Sequence, residues 1–176
     1  MDSIVAVKQN CTGGNATNEQ IWVALDAVGL LRWRLGNGSQ TNGPDGKKMP
    51  GPKHMDEVKW ECLLEKEAIT MLGGECSAAV PTTSNLAVLL ISLTGVTSPS
   101  FTSAFDIWTR ELDKTPLKDW AIGPDKIEYD GQPILWEYAH LAQANLTRIG
   151  CAQKNCPVAG AKNAVKHTTL CLLNIL

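Results

Sequence analysis

The chain has 176 residues, a formal net charge of -2, and 44% hydrophobic against 19% charged residues. That length suits one domain, and the apolar share is enough for a packed core and excludes wholesale disorder. The slightly acidic balance argues against a protein that holds nucleic acid through a basic face.

Met1-Asp-Ser-Ile-Val offers neither a basic n-region nor an apolar core, and no run approaches the ~18 apolar residues of a membrane helix. The expectation is a chain whose targeting ends are trimmed, with an anchor tail able to follow the apolar stop Asn174-Ile175-Leu176. Thr17-Asn18-Glu19-Gln20 has the S/T-x-x-E/Q form of a capping box, which opens a helix. Ile21, Leu25, Val28 and Leu35 follow at helical spacing, and Gly36 closes the helix. Residues 36–53 are rich in Gly, Pro, Asn and Lys and predict a long exposed loop, a kind of segment that tends to be functional or mobile.

Residues 61–72 read as a second helix, with Leu64, Ala68 and Leu72 inward and Glu65, Lys66 and Glu67 outward. Residues 85–93 form a continuous apolar run, open between a buried strand and a buried helix. A third helix is predicted over 101–112, with Phe101, Phe105, Trp108 and Leu112 at helical spacing, and a fourth over 134–143. Residues 146–152 and 168–173 read as strands, each carrying a cysteine. With no linker and no repeat, the reading is one α/β domain over 1–176.

The six cysteines, Cys11, Cys62, Cys76, Cys151, Cys156 and Cys171, are scattered and even in number, with no C-x-x-C. That pattern favours disulfides over a zinc site, and hence an oxidising compartment, but the pairing stays open. N-x-[ST] sequons at Asn10, Asn15, Asn37 and Asn145 agree with an extracellular chain, and small polar loops also generate such sequons freely. Gly36-Asn37-Gly38-Ser39 lacks the closing glycine of a nucleophile elbow, and no phosphate-cradling glycine motif occurs. His54, His140 and His167 share no ligand spacing. The six tryptophans read as core anchors, and the basic clusters Lys47, Lys48, Lys53 and Lys154, Lys162, Lys166 as solvated faces.

Three stretches carry a resemblance. Phe105-Asp-Ile-Trp108-Thr-Arg-Glu111-Leu112 resembles the W-x-x-E helix of the CAP (SCP/TAPS) superfamily. Met55-x4-Trp60-x2-Leu63-Leu64-Glu65-x2-Ala68 resembles its second-helix motif, and Thr147-Arg-Ile-Gly150-Cys151-Ala152, Cys156 and Cys171 its G-C-A…C…C ending. The resemblance implies a three-layer αβα sandwich with a central mixed, largely antiparallel sheet, stapled by disulfides. It further implies the pairings Cys11–Cys62, Cys76–Cys156 and Cys151–Cys171. Of the superfamily's tetrad of two histidines and two glutamates, Glu111 alone is retained; Ser84 and Glu137 stand at two other positions. No metal or other cofactor and no catalytic residue are therefore expected.

Cys156-Pro157-x-Ala-Gly160 and Thr168-Thr169-x-Cys171-Leu172-x-Asn174, with the six-cysteine order, resemble the Eimeria-type coccidian surface antigens, the SAG family. That resemblance implies a non-enzymatic antigen on the outer face of a parasite plasma membrane, held by a GPI anchor outside this sequence. Host cell surfaces or host antibody are its expected partners, without nucleic acid or a small-molecule substrate. Lys47, Lys48 and Lys53 form the expected host-contact loop. The competing expectation is a secreted CAP effector that acts on a host receptor or binds lipid.

Overall fold

The computed structural model describes residues 11–73, 85–95, 101–123, 126–158, 160 and 164–174. α1 (Asn18–Gly36) opens on the capping box. The Gln20 N–H donates to Thr17 Oγ1 at 3.2 Å, and the Thr17 N–H donates to Gln20 Oε1 at 2.9 Å. β1 (Lys59–Trp60) and α2 (Cys62–Leu72) follow, with the Glu61 side chain capping α2. β2 (Leu86–Thr94) precedes α3 (Thr102–Trp108), α4 (Glu111–Lys114) and α5 (Trp136–Leu141). β3 (Arg148–Pro157) and β4 (Val165–Asn174) finish the sheet.

The strand order is β1-β3-β4-β2: β1 runs parallel to β3, and the other two pairings are antiparallel. α2 lies across β3 and β4 on one face, where Leu64 and Ala68 meet Val88, Ala152, Leu170 and Leu172. On the other face Ala87, Leu89, Ile149, Cys151 and Leu173 join α1 and α3 in the larger core. Successive residues of a strand therefore enter opposite cores, and residues 86–91 need no polar alternation. That resolves the ambiguous run: it is a strand buried on both faces. The result is a three-layer αβα sandwich with a mixed, largely antiparallel sheet. Gly150 marks the closest approach of helix to sheet. A Cβ there would lie 2.6 Å from Leu64 Cβ and would also strike the Glu65 amide nitrogen, so only glycine lets α2 settle on β3.

Four expectations are corrected. The predicted 101–112 helix is two helices, because the Thr109 hydroxyl donates to the Phe105 carbonyl at 2.7 Å and Arg110 N–H turns back to Ile107. Glu65 is not outward but fully buried. Only Trp60 and Trp108 of the six tryptophans are core; Trp22 (55%), Trp33 (63%), Trp120 (63%) and Trp136 (42%) are exposed. The 36–53 loop is not exposed throughout. Gln40, Asn42 and Met49 are buried, Thr41 bridges Lys48, and the Asn42 amide brackets the Leu117 backbone at 2.7 and 3.0 Å. Buried backbone must find partners, and these side chains supply them. Two further boundaries move: the fourth helix begins as a 3-10 turn at Pro133–Leu135, and both late strands are longer than predicted. Among the described residues no helix is long and apolar enough to cross a membrane.

Candidate functional site

Glu111 starts α4 and Glu137 lies in the first turn of α5, and the connection over 115–135 returns the chain so that the two carboxyls interact in one half-buried region. Burial pushes the Glu111 carboxyl up to about 8; the Tyr138 N–H, donated to its Oε2 at 3.1 Å, opposes the shift, and the Glu137 charge adds to it. Glu137 is also raised by burial. At neutral pH Glu111 holds its proton. Ser84 lies outside the described residues.

The metal implied by the tetrad does not fit these donors. Zinc sites are built on imidazole or thiolate, with carboxylates as adjuncts. Here His54 bonds Asp56 at 2.7 Å, His140 bonds the Trp136 carbonyl at 2.7 Å, and His167 bonds Asn155 at 2.7 Å. Among the described residues no three His, Cys, Asp or Glu side chains converge as a metal group.

The raised carboxyl gives stability a definite pH dependence. The native state keeps a proton that the unfolded chain releases at the ordinary value of 4.5, so stability falls as pH climbs from 4.5 to about 8. With solvent screening of this half-buried group taken into account, the loss is ~2 kcal/mol. Glu111→Gln keeps an acceptor for Tyr138 and removes the titration. Urea unfolding at about pH 5 and pH 9 should show the wild type losing that stability relative to the variant. A wild-type-to-variant difference independent of pH would refute the assignment.

Beside this pair lies a groove of about 660 Å³, walled by Leu35, Met49, Met55, Leu117 and Leu135, with Tyr129 and Trp136 among its aromatic groups. Lys53, His54 and Lys126 also border it. Arg32, buried in α1, shapes one wall. Its guanidinium donates to the carbonyls of Asp56, Leu141, Gln143, Ala144 and Leu146, fastening α1 to both chain segments that border the groove. Sequence reading missed this groove. Its residues come from five separate stretches, and the Tyr129/Trp136 pair carries no spacing signal.

Lys47, Lys48 and Lys53 are exposed, and only Lys53 borders the groove. Asn15, Asn37 and Asn145 are exposed; Asn10 lies outside the described residues. Cys11–Cys62 joins the lead of α1 to the start of α2, and Cys151–Cys171 crosses directly opposed positions of β3 and β4. Cys156 is buried and disulfide-bonded; the Cys76–Cys156 pairing lies outside the described residues at Cys76.

No family model and no curated protein matches the sequence. Solved structures do match in shape. Na-ASP-1 aligns at TM-score 0.74 and 22% identity over 94% of this chain, which spans 38% of that protein's length. BmVAL-1 aligns at TM-score 0.70 and 17% identity, over 94% of this chain and 81% of that one. The Schistosoma mansoni venom allergen-like protein 4 aligns at 0.57 and 14% identity, over 90% of each. At these identities the likeness speaks for the fold, and the chain has the CAP-like fold.

Proposed function

We propose that this chain is a non-enzymatic recognition domain of the coccidian SAG type, displayed on the outer face of a parasite plasma membrane by a glycolipid anchor. The observation that carries the non-catalytic part is the tetrad region, where among the described residues Glu111 and the half-buried Glu137 join no third His, Cys, Asp or Glu in a group that could hold a metal. Such a pair lacks the imidazole and thiolate ligands on which a hydrolytic zinc site is built. Disulfides staple the scaffold, and the lysines of the 36–53 segment and three sequons face solvent, as suits a rigid domain that presents its loops to host cells or antibody. The expected partners are proteins or glycans of the host surface, reached without nucleic acid.

A secreted effector is the second reading. The groove favours it, because a sheltered apolar cavity suits a released carrier as well as a displayed antigen. The untrimmed gene product and a cell-binding assay separate the two. A signal peptide with a C-terminal anchor signal, and saturable binding of the recombinant chain to host epithelial cells that weakens in a Lys47→Glu/Lys48→Glu variant, are expected. A gene product without an anchor signal would overturn display. Binding indifferent to both charge reversals would overturn the contact loop.

A further inference from the structure

We propose that the corner formed by Tyr129 and Trp136 at the groove binds an organic cation of the quaternary-ammonium class, the chemistry of a choline head. The two rings stand 6.0 Å apart with planes at 73°, so they present two π surfaces at nearly a right angle. A cation set into such a corner meets both ring quadrupoles at once. Trp136 keeps 42% of its surface exposed although its neighbours Leu135 and Tyr138 are buried. Its position is held from behind: the His140 ring lies 4.1 Å away, and His140 Nδ1 bonds the Trp136 carbonyl at 2.7 Å. Tyr129 is held equally firmly, its hydroxyl donating to the Gln132 carbonyl at 2.6 Å. A rigid aromatic corner loses little entropy when it takes up a ligand.

The surrounding charge has the right sign. Glu111, Glu128, Asp130 and Glu137 cluster near Tyr129 in sequence or in space. Burial raises the Tyr129 phenol, and the nearby charges of Asp130 and Glu137 raise it further, so at neutral pH, where Glu111 is protonated, these two carboxyls supply the negative charge close to this ring. Of the basic side chains that border the groove, Lys126 pairs with Glu128, His54 bonds Asp56, and Lys53 lies exposed at the rim. The Asp130 carboxylate is already occupied by hydrogen bonds. Asp130 accepts from the backbone N–H groups of Lys118 and Gln132 and from the Gln132 side chain. A primary ammonium would need free acceptors for three N–H groups. A quaternary ammonium needs none and is satisfied by aromatic faces, apolar walls and negative potential. Leu35, Met49 and Leu135 line the same groove, so the ligand's apolar portion has a place to lie. This site stands apart from the display role and holds for an anchored or a secreted chain.

The test is a heteronuclear NMR titration of the full chain with choline chloride at constant ionic strength. It runs in parallel with 3,3-dimethyl-1-butanol, the neutral carbon analogue of choline. Choline should shift the Trp136 indole signal saturably, and the neutral analogue should bind at least ~10-fold more weakly. Trp136→Leu keeps an apolar side chain without the quadrupole and should lose ~10-fold in choline affinity, while Trp136→Phe keeps most of it. Unchanged far-UV circular dichroism confirms that both variants are folded. Sedimentation with phosphatidylcholine vesicles, with and without free choline as competitor, separates a lipid headgroup from a soluble cation; either source upholds the site. Equal affinity for choline and its neutral analogue, full affinity in Trp136→Leu, or silence toward both choline and vesicles would overturn it.

Discussion

Replacing Glu65 by alanine should destabilise the domain by ~4 kcal/mol and lower its melting temperature by about 10 °C. Glu65 is fully buried on α2, and its carboxylate accepts three hydrogen bonds. The N–H groups of Asn15 and Ala16 donate to Oε1 at 2.7 and 2.8 Å, and the Trp60 indole N–H donates to Oε2 at 2.9 Å. One side chain thus ties together the lead of α1, the edge strand β1 and the helix beneath the sheet. Alanine leaves three buried donors unpaired and a cavity between Gly14 and Trp60. Gly14 itself leaves room for this carboxylate, since a Cβ there would meet Glu65 Cδ at 2.7 Å. Glu65→Gln is the diagnostic companion. Its NH2 group must face either the two backbone N–H groups or the indole N–H, so donor meets donor and ~2 kcal/mol is lost. Urea unfolding followed by tryptophan fluorescence measures both. A loss below about 1 kcal/mol in the alanine variant would show that water replaces the carboxylate without penalty.

Arg32→Ala should cost ~3 kcal/mol, with a local signature as well as a global one. Burial pulls the guanidinium below its ordinary value and the Asp56 charge partly restores it; its N–H groups serve carbonyls of two chain segments. Its removal leaves those carbonyls under-satisfied in a buried setting and frees the segment around Asp56 from the turn before β3. Amide exchange should quicken most at residues 55–57 and 141–147, which border the groove. Arg32→Lys should recover less than half of the loss, because one ammonium cannot span the fork that a planar guanidinium covers. Exchange that quickens evenly across the domain would show that Arg32 contributes to stability without shaping the groove.

These two residues show where sequence reading runs out. Both are charged, and helical spacing places charged residues outward, so Glu65 was assigned to solvent beside Lys66 and Glu67. Its burial follows from a neighbour fifty residues away in the chain, whose unpaired N–H groups needed an acceptor. The same holds for Trp22, Trp33, Trp120 and Trp136, which size and apolarity assign to the core although the packed layers leave them outside. The W-x-x-E stretch predicted a helix correctly at Trp108 and Glu111. It could not show the break at Thr109, because that break rests on a side chain bonding back to its own helix.

Local chemistry was legible in the sequence. The capping box, the glycine at the end of α1, the apolar spacing of the helices and the even cysteine count depend on neighbours within a few residues or on composition, and each appears in the folded chain; the sandwich architecture came from the resemblance to the CAP superfamily. The tertiary structure alone decided what depends on distant partners: that the 86–91 run is a strand buried on both faces, that Glu65 and Arg32 lie inside, and that Tyr129 and Trp136 form a corner beside two carboxyls. Burial, which only the folded chain defines, holds Glu111 protonated near neutral pH, while Asp130 and Glu137 keep their charges close to the Tyr129 ring.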